Sequence, residues 1–188
     1  MSQNFIEQIK ESIARIVYPG IFERRDYFER LANTDALTGL SNRAAFDLAE
    51  AAATGDKNLH FIIFDANNFK KVNKVFSHAD GDQILKKFAA AIADVSRKYK
   101  CRAFRLGGDE FVIICHKNFA RAVRDKVELL ARPVIFDDFT VSLSGTIGAT
   151  LAEADSALQK RKTERKTRDF YVRYNQTKTQ KENFAYAG

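Results

Sequence analysis

No run of the 188 residues approaches the ~20 consecutive apolar side chains that a transmembrane helix needs, so no membrane span is expected. The first residues, Met1 to Ile16, alternate charged and apolar side chains and lack the layout of a secretion signal, which points to a cytoplasmic chain. Cysteine is scarce. Cys101 and Cys115 have no third soft ligand near them in sequence, which argues against a thiolate metal site and leaves two free thiols, on predicted strands that can face each other. Proline is equally scarce: Pro19, next to Gly20, breaks one helical stretch and Pro133 ends another. Internal repeats are absent, which excludes a solenoid. Aromatic platforms interleaved with basic residues are missing beyond Phe170, Tyr171 and Tyr174, so a nucleic acid is not the expected partner.

What is present is one domain with appendages, long enough for a sizeable core. The formal net charge of +7 is uneven: residues 1–33 balance, whereas Lys160 to Lys181 holds most of the excess. A basic stretch suits phosphates, RNA or anionic lipid, but the end of this one reads first as a solvated tail. Ser2 to Val17 has the period of an amphipathic helix, with Phe5, Ile6, Ile9 and Ile13 on one stripe, and Ile21 to Ala32 resumes helical character. Helices this short need a partner surface, either the domain itself or a second copy of the chain.

The remaining elements alternate in type. Thr34 or Asp35 caps a new segment, and Arg43 to Ala53 is a helix of good formers. Leu59 to Asp65 reads as a buried strand, followed by helical pieces over Phe69 to Phe76 and Asp80 to Lys98. A hairpin joins Cys101–Leu106 to Phe111–Cys115, and Asn118 caps a helix reaching about Arg132. A second hairpin, Val134–Phe136 with Phe139–Ala149, precedes a last helix from Ala152 to Lys166. This order implies an α/β (α+β) sandwich of ferredoxin-like or polymerase-palm kind, its central sheet containing antiparallel strands and flanked by helices. The expected division is a helical segment over 1–33, a domain over 34–166 and a basic tail over 167–188. The sixteen phenylalanines are read as core, His60 and His116 as strand-end residues, and His78 as a turn stabiliser.

Two acidic features point to chemistry. The run Leu59-His-Phe-Ile-Ile-Phe-Asp65 ends a buried strand in a carboxylate, where open sheets present their ligand sites. The turn Gly107-Gly108-Asp109-Glu110 puts further carboxylates at a hairpin tip whose glycines allow close approach. Together they suit Mg²⁺ (or Mn²⁺) with a nucleotide, since Mg²⁺ takes few protein oxygens and leaves the rest of its sphere to phosphates.

At this point the chain closely resembles the GGDEF family, the diguanylate cyclases. The resemblance covers roughly residues 30–166 in several blocks: Leu31 to Arg43, Phe64 to Asn73, His78 to Asp82, Gly107 to Phe111, and Ala154 to Leu158 followed by Lys162. It implies the GGDEF fold and condensation of two GTP molecules into cyclic di-GMP with release of pyrophosphate. By position it implies Asp65, the Ala66 carbonyl and Asp109 as metal ligands, with Asp109 accepting the proton of the attacking hydroxyl and Glu110 supporting the metal. It assigns Asn73 and Asp82 to guanine, the Asn68 and Phe69 amides with Lys70 to the phosphates, and Lys162 and Lys166 as further cations, with Arg165 a rival to these. Asp35, Asn42 and Arg43 would tie the preceding helix to the domain. One site holds one GTP, so ring closure implies a homodimer.

Several positions depart from the family pattern. Asn67 stands where many members have Asp, Lys74 replaces Asp, Ser77 replaces Gly, and Gln159 replaces Tyr. The stretch between Gly148 and Ala154 is short. Lys98 and Cys101 replace the Arg and Asp of the product-inhibition motif. Two other readings stay open: a non-catalytic GTP-binding or cyclic-dinucleotide-binding regulatory module on the same fold, and a related cyclase making another cyclic dinucleotide or oligonucleotide.

Overall fold

The computed structural model describes the backbone of residues 3–185, together with their side chains except for parts of the first two helices and residues 169–185. The helices α1 (Gln3–Val17) and α2 (Pro19–Asn33) come first, with Pro19 opening α2, where its fixed φ fits and no donor is lost. Phe5, Ile6 and Ile9 of the N-terminal stripe lie outside the described side chains, and Ile13 is exposed.

The domain follows as α3 (Arg43–Ala53), β1 (Leu59–Asn67), α4 (Phe69–Val75), α5 (His78–Tyr99), β2 (Arg102–Gly107), β3 (Glu110–His116), α6 (Ala120–Leu130), β4 (Val134–Ile135), β5 (Thr140–Gly148) and α7 (Leu151–Ala185). The five strands form one sheet in the order β2-β3-β1-β5-β4, and every named pair is antiparallel. This is the sandwich expected from the order of elements, with β1 in the middle.

Alternation along the strands explains the layers. Ile62, Phe64 and Ala66 of β1, with Phe111, Ile113 and Cys115 of β3, face a core completed by Val72, Phe88, Ile92, Val95 and Val123. Phe61, Ile63, Val112 and Ile114 face the other way, against Phe46, Ala49, Ala154 and Leu158. Each such side chain taken out of water is worth ~1.5–3 kcal/mol, and both faces of β1 are covered, so its ends are the parts free for chemistry. On the second face Phe46 meets Phe104 edge-on, with ring centroids 5.4 Å apart. Cys101 and Cys115 are free, and the Cys101 thiol donates to the Tyr99 carbonyl at 3.5 Å.

Four boundaries differ from the sequence reading. Asn42, not Thr34 or Asp35, caps α3 by accepting from the Ala45 amide, while Asp35 caps the short turn before it by accepting from Thr38. Ser77 opens α5 with a capping box, its hydroxyl and the Asp80 carboxylate each taking up the other's backbone amide, so α5 begins at His78. That gives the departure at Ser77 a local reason. Asn118 caps nothing: residues 117–119 form a 3₁₀ turn in which the His116 ring accepts from the Asn118 amide, and α6 starts at Ala120. The last helix does not stop near Lys166. No glycine or proline interrupts Leu151–Ala185, and α7 runs through the whole stretch, so the expected tail is helical over most of its length.

Candidate active site

The site forms where the end of β1 meets the tip of the β2–β3 hairpin. Asp65 pairs in register with Glu110 across β1 and β3, so the strand-end carboxylate lies beside the hairpin tip. Gly107 pairs with Glu110, leaving Gly108 and Asp109 as the turn, with φ of 141° at Gly107 and 51° at Gly108. A side chain at either glycine would be strained, which is why the tip can be this tight. Asp65 is buried at 6% exposure, Asp109 is half-buried and Glu110 is exposed. Burial pushes the Asp109 carboxyl above its ordinary value, and the negative charge of Asp65 adds to the rise, against a smaller opposing pull from Lys162. The Lys162 ammonium sits 2.6 Å from Asp65 Oδ2.

Arg105 holds the hairpin tip in place. Its guanidinium donates to the Gly108 carbonyl at 2.7 and 3.1 Å and to the Asp35 carboxylate at 2.9 and 3.2 Å. Asp35 follows α2, and Asn42 donates to the Ala32 carbonyl at 2.7 Å, so the link from the helical segment to the tip runs through Asn42, Asp35 and Arg105. Arg43 takes no part in it and pairs with Asp47 instead, at 3.0 Å. Arg105 is a positioning residue that motif reading passed over, although its place two residues before the Gly-Gly pair made it findable.

Burial pushes the Asp35 carboxyl up, but hydrogen bonds from Thr38 and Arg105 more than reverse this, so it titrates below the ordinary value. A depressed carboxyl contributes stability that is complete above its unfolded value near ~4 and is lost as pH falls through the lower folded value. Asp35→Asn should therefore cost ~1–3 kcal/mol at neutral pH, because Arg105 loses a charged partner. Urea unfolding of both proteins from pH 7 to pH 2 checks this. The gap should close below about pH 4, and a gap that ignores pH would count against the pairing.

The other residues singled out in the sequence distribute as follows. Phe69 and Ala66 are buried, Asn68 and Asp82 are half-buried, and Lys70 is exposed. Asn68 adopts a left-handed conformation at φ 64°, and its side-chain Nδ2 donates to the Thr140 carbonyl at 2.9 Å. Asn73 Oδ1 is buried without a hydrogen-bond partner. A methyl at Gly81 would stand 2.5 Å from that oxygen, so a side chain there would push the Asn73 amide aside. Lys162 lines a cavity of about 610 Å³ between α7 and β5, as do Arg161, Arg165 and Arg168. Lys166 is exposed and does not line it. Asn67 turns toward β5 and donates to the hydroxyls of Ser142 and Ser144 at 3.2 and 2.8 Å. A polar side chain in that role needs no charge, which accounts locally for Asn at this position.

The donor set suits a hard divalent cation. Asp65 and Asp109 are neighbouring carboxylates, the charge of Asp65 helps raise the Asp109 carboxyl, and a cationic nitrogen already lies against Asp65. Among the described residues no group of three or more His, Cys, Asp and Glu side chains is placed to hold a metal ion by itself, so an ion held here needs oxygens from elsewhere, as phosphates supply.

An antiparallel five-stranded sheet flanked by helices, with carboxylates at the end of its middle strand and at the adjoining hairpin tip, defines a palm-like domain. The chain belongs to the GGDEF domain family, whose match, described as diguanylate cyclase, GGDEF domain, runs over residues 32–168. It is 42% identical over 93 residues to the diguanylate cyclase DgcS of Shewanella oneidensis, covering 47% of this chain and 31% of that protein. It is 31% identical over 179 residues to the response regulator PleD of Caulobacter vibrioides, covering 86% and 39%. A relative of different activity, the cyclic di-GMP phosphodiesterase PdeR of Escherichia coli, is 42% identical over 100 residues, covering 50% of this chain and 15% of that one. The chain thus spans well under half the length of these relatives. Among solved structures, the coiled coil and GGDEF domain of DgcB from Caulobacter crescentus, in complex with c-di-GMP, shares the fold with TM-score 0.67 at 24% identity, covering 86% of this chain and 96% of that one. The GGDEF domain of YfiN from Pseudomonas aeruginosa gives TM-score 0.55 at 30% identity, covering 70% and 89%.

Proposed function

We propose that this chain is a diguanylate cyclase, condensing two GTP molecules into cyclic di-GMP and two pyrophosphates with Mg²⁺ or Mn²⁺. The observation that carries the reading is the pair of mutually repelling carboxylates, Asp65 at the end of β1 and Asp109 at the hairpin tip, with Lys162 against the first. A divalent cation held there, with the Ala66 carbonyl as a further ligand, would neutralise phosphate charge and acidify a sugar hydroxyl. Asp109, raised above its ordinary value, is suited to accept the proton of the 3′-hydroxyl that attacks the α-phosphorus of the second GTP, as the bond to the β-phosphate oxygen breaks. Glu110 supports the cation. The Asn68 and Phe69 amides, Lys70, Lys162 and Lys166 hold the phosphates.

Asn73 and Asp82 hold the guanine. The Asn73 oxygen is buried without a partner, and a nucleobase N–H would satisfy it. The Asp82 carboxylate accepts from N1–H and the 2-amino group of guanine, a donor pair that adenine lacks. Each buried group left unpaired costs ~1–3 kcal/mol, so Asp82→Ala should lower the preference for GTP over ATP about tenfold or more. Incubation with Mg²⁺ and each nucleoside triphosphate in turn, with products identified by mass spectrometry, tests both statements. Equal use of ATP and GTP by the unaltered chain would remove the guanine assignment. Micromolar cyclic di-GMP should leave initial rates unchanged, since Lys98 and Cys101 cannot supply the bidentate contact of an Arg–Asp pair.

A second reading, a non-catalytic nucleotide-binding module, is favoured by one contact. Lys162 already neutralises Asp65, which would hold the site together with no cation bound. GTP binding without any cyclic product in the same assay would support it.

A further inference from the structure

The two edges of the sheet are covered unequally. On the β2 side Ser41 bridges Phe104 and accepts from the Arg105 amide, so the segment before α3 shields that edge. On the opposite side β4 pairs only Val134 and Ile135, with Val141 and Thr140 of β5. Pro133, next in register, has no N–H to give, and Arg132 turns away at a φ of 31°. From Ser142 to Gly148, β5 therefore has β1 on one side and no strand on the other.

Gly145 shows which backbone groups line this open edge. Its amide donates to the Glu128 carboxylate of α6 at 2.7 Å, and its carbonyl accepts from Arg161 of α7 at 2.6 Å. The two side chains stand in for a neighbouring strand at that rung. Alternate residues of an antiparallel strand turn their backbone groups the same way, so the N–H and C=O of Ile147 also face away from β1. No described side chain takes them up.

A cavity of about 560 Å³ lies along Gly145–Ile147 between α6 and α7. Its ionisable lining is Lys117, Arg121, Arg124 and Arg161 with His60, and no carboxylate is among the lining residues. Arg124 pairs with Asp125 at 2.7 Å, whereas the exposed Lys117 and Arg121 side chains make no ion pair or hydrogen bond with a described residue. The cavity sits at the start of β1. His60 lies five residues before Asp65, ~16 Å along the strand, and only Arg161 is shared with the cavity that Lys162 lines.

Backbone donors and acceptors on an open strand, set beneath cations, match an extended chain that carries carboxylates. The open rung selects an extended peptide over a folded surface, and the unopposed cations select acidic side chains. A nucleic acid would use the cations but leave the Ile147 amide and carbonyl unmatched.

We propose that this edge binds an extended acidic segment of a partner protein, added beside β5 in line with β4. The segment's backbone pairs with Ile147 and replaces Glu128 and Arg161 at Gly145, and its carboxylates meet Lys117, Arg121 and Arg124.

The test is fluorescence-anisotropy titration of the full chain with a fluorescein-labelled peptide of three Glu-Val repeats. The Lys117→Glu/Arg121→Glu variant should bind at least tenfold more weakly. A Lys86→Glu/Lys87→Glu variant, which reverses the same charge on the exposed face of α5, should change less than twofold. Two further peptides keep every charge but are N-methylated at every Glu or at every Val. One should bind at least tenfold more weakly than the other, because a strand turns only alternate N–H groups toward its neighbour. Equal weakening in both charge variants, equal affinity of the two methylated peptides, or a short RNA competing as well as the peptide would each overturn the proposal. Light scattering covers the remaining occupant: a mass in solution that falls on Lys117→Glu/Arg121→Glu would give the edge to a second copy of the chain instead.

Discussion

Asp109→Ala should form no cyclic dinucleotide above background, a loss of at least ~10³-fold, while remaining folded. The two halves of that expectation have different causes. Activity falls because the half-buried carboxylate beside Asp65 is both a metal ligand and the proton acceptor of the proposed reaction. The fold survives because the Asp109 carboxylate makes no hydrogen bond to another described residue and lies on a turn outside both apolar clusters. In metal-free protein the change should even raise thermal stability. Burial and the Asp65 charge both oppose ionisation of Asp109, so at neutral pH its carboxylate is held at a cost that alanine does not carry. Assay of product by mass spectrometry, with thermal unfolding in chelator, checks both. Normal turnover in a folded variant would remove Asp109 from the mechanism.

The parts of this site that could be read from sequence are those whose chemistry is local. An apolar run ending in Asp65 and a Gly-Gly turn followed by carboxylates each declare a strand and a hairpin, and the antiparallel register brings them together. Arg105 was harder, because its partners Asp35 and Gly108 lie seventy residues upstream and three downstream, and only the folded sheet joins them. The cavity that Lys162 lines follows from two periods that must be seen at once, polar residues every second position over Thr140–Ser144 and arginines every three or four over 161–168. Charge alone suggests a solvated tail only from Arg168 onward, beyond the helix expected to end at Lys166. The length of α7 was underestimated for a similar reason: its polar composition reads as a tail, but nothing in it breaks a helix.

Removal of residues 1–20 should turn a dimer into a monomer and lower specific activity at micromolar protein by about a hundredfold or more. The reasoning starts from the ring-closing step. In the proposed reaction each site holds one GTP, so two sites would have to face each other, and a tether that brings two copies together supplies an effective concentration of ~1 mM, against ~1 µM for free encounter. The candidate tether is the helical segment. Ile16 is 81% exposed and Val17, Tyr18, Phe28 and Leu31 are exposed with it, so this apolar surface is not buried by any described residue. Among the described residues neither core cluster draws a member from α1 or α2, so the truncation removes none of the core described here. An Ile13→Asp/Ile16→Asp variant of the full chain makes the same test without truncation, by putting charge where a second copy would pack. Light scattering gives the oligomeric state, and activity measured across a hundredfold range of protein concentration should become second-order in the variants. A truncated or substituted chain that keeps the oligomeric state and specific activity of the original would show that the helical segment does not bring the sites together.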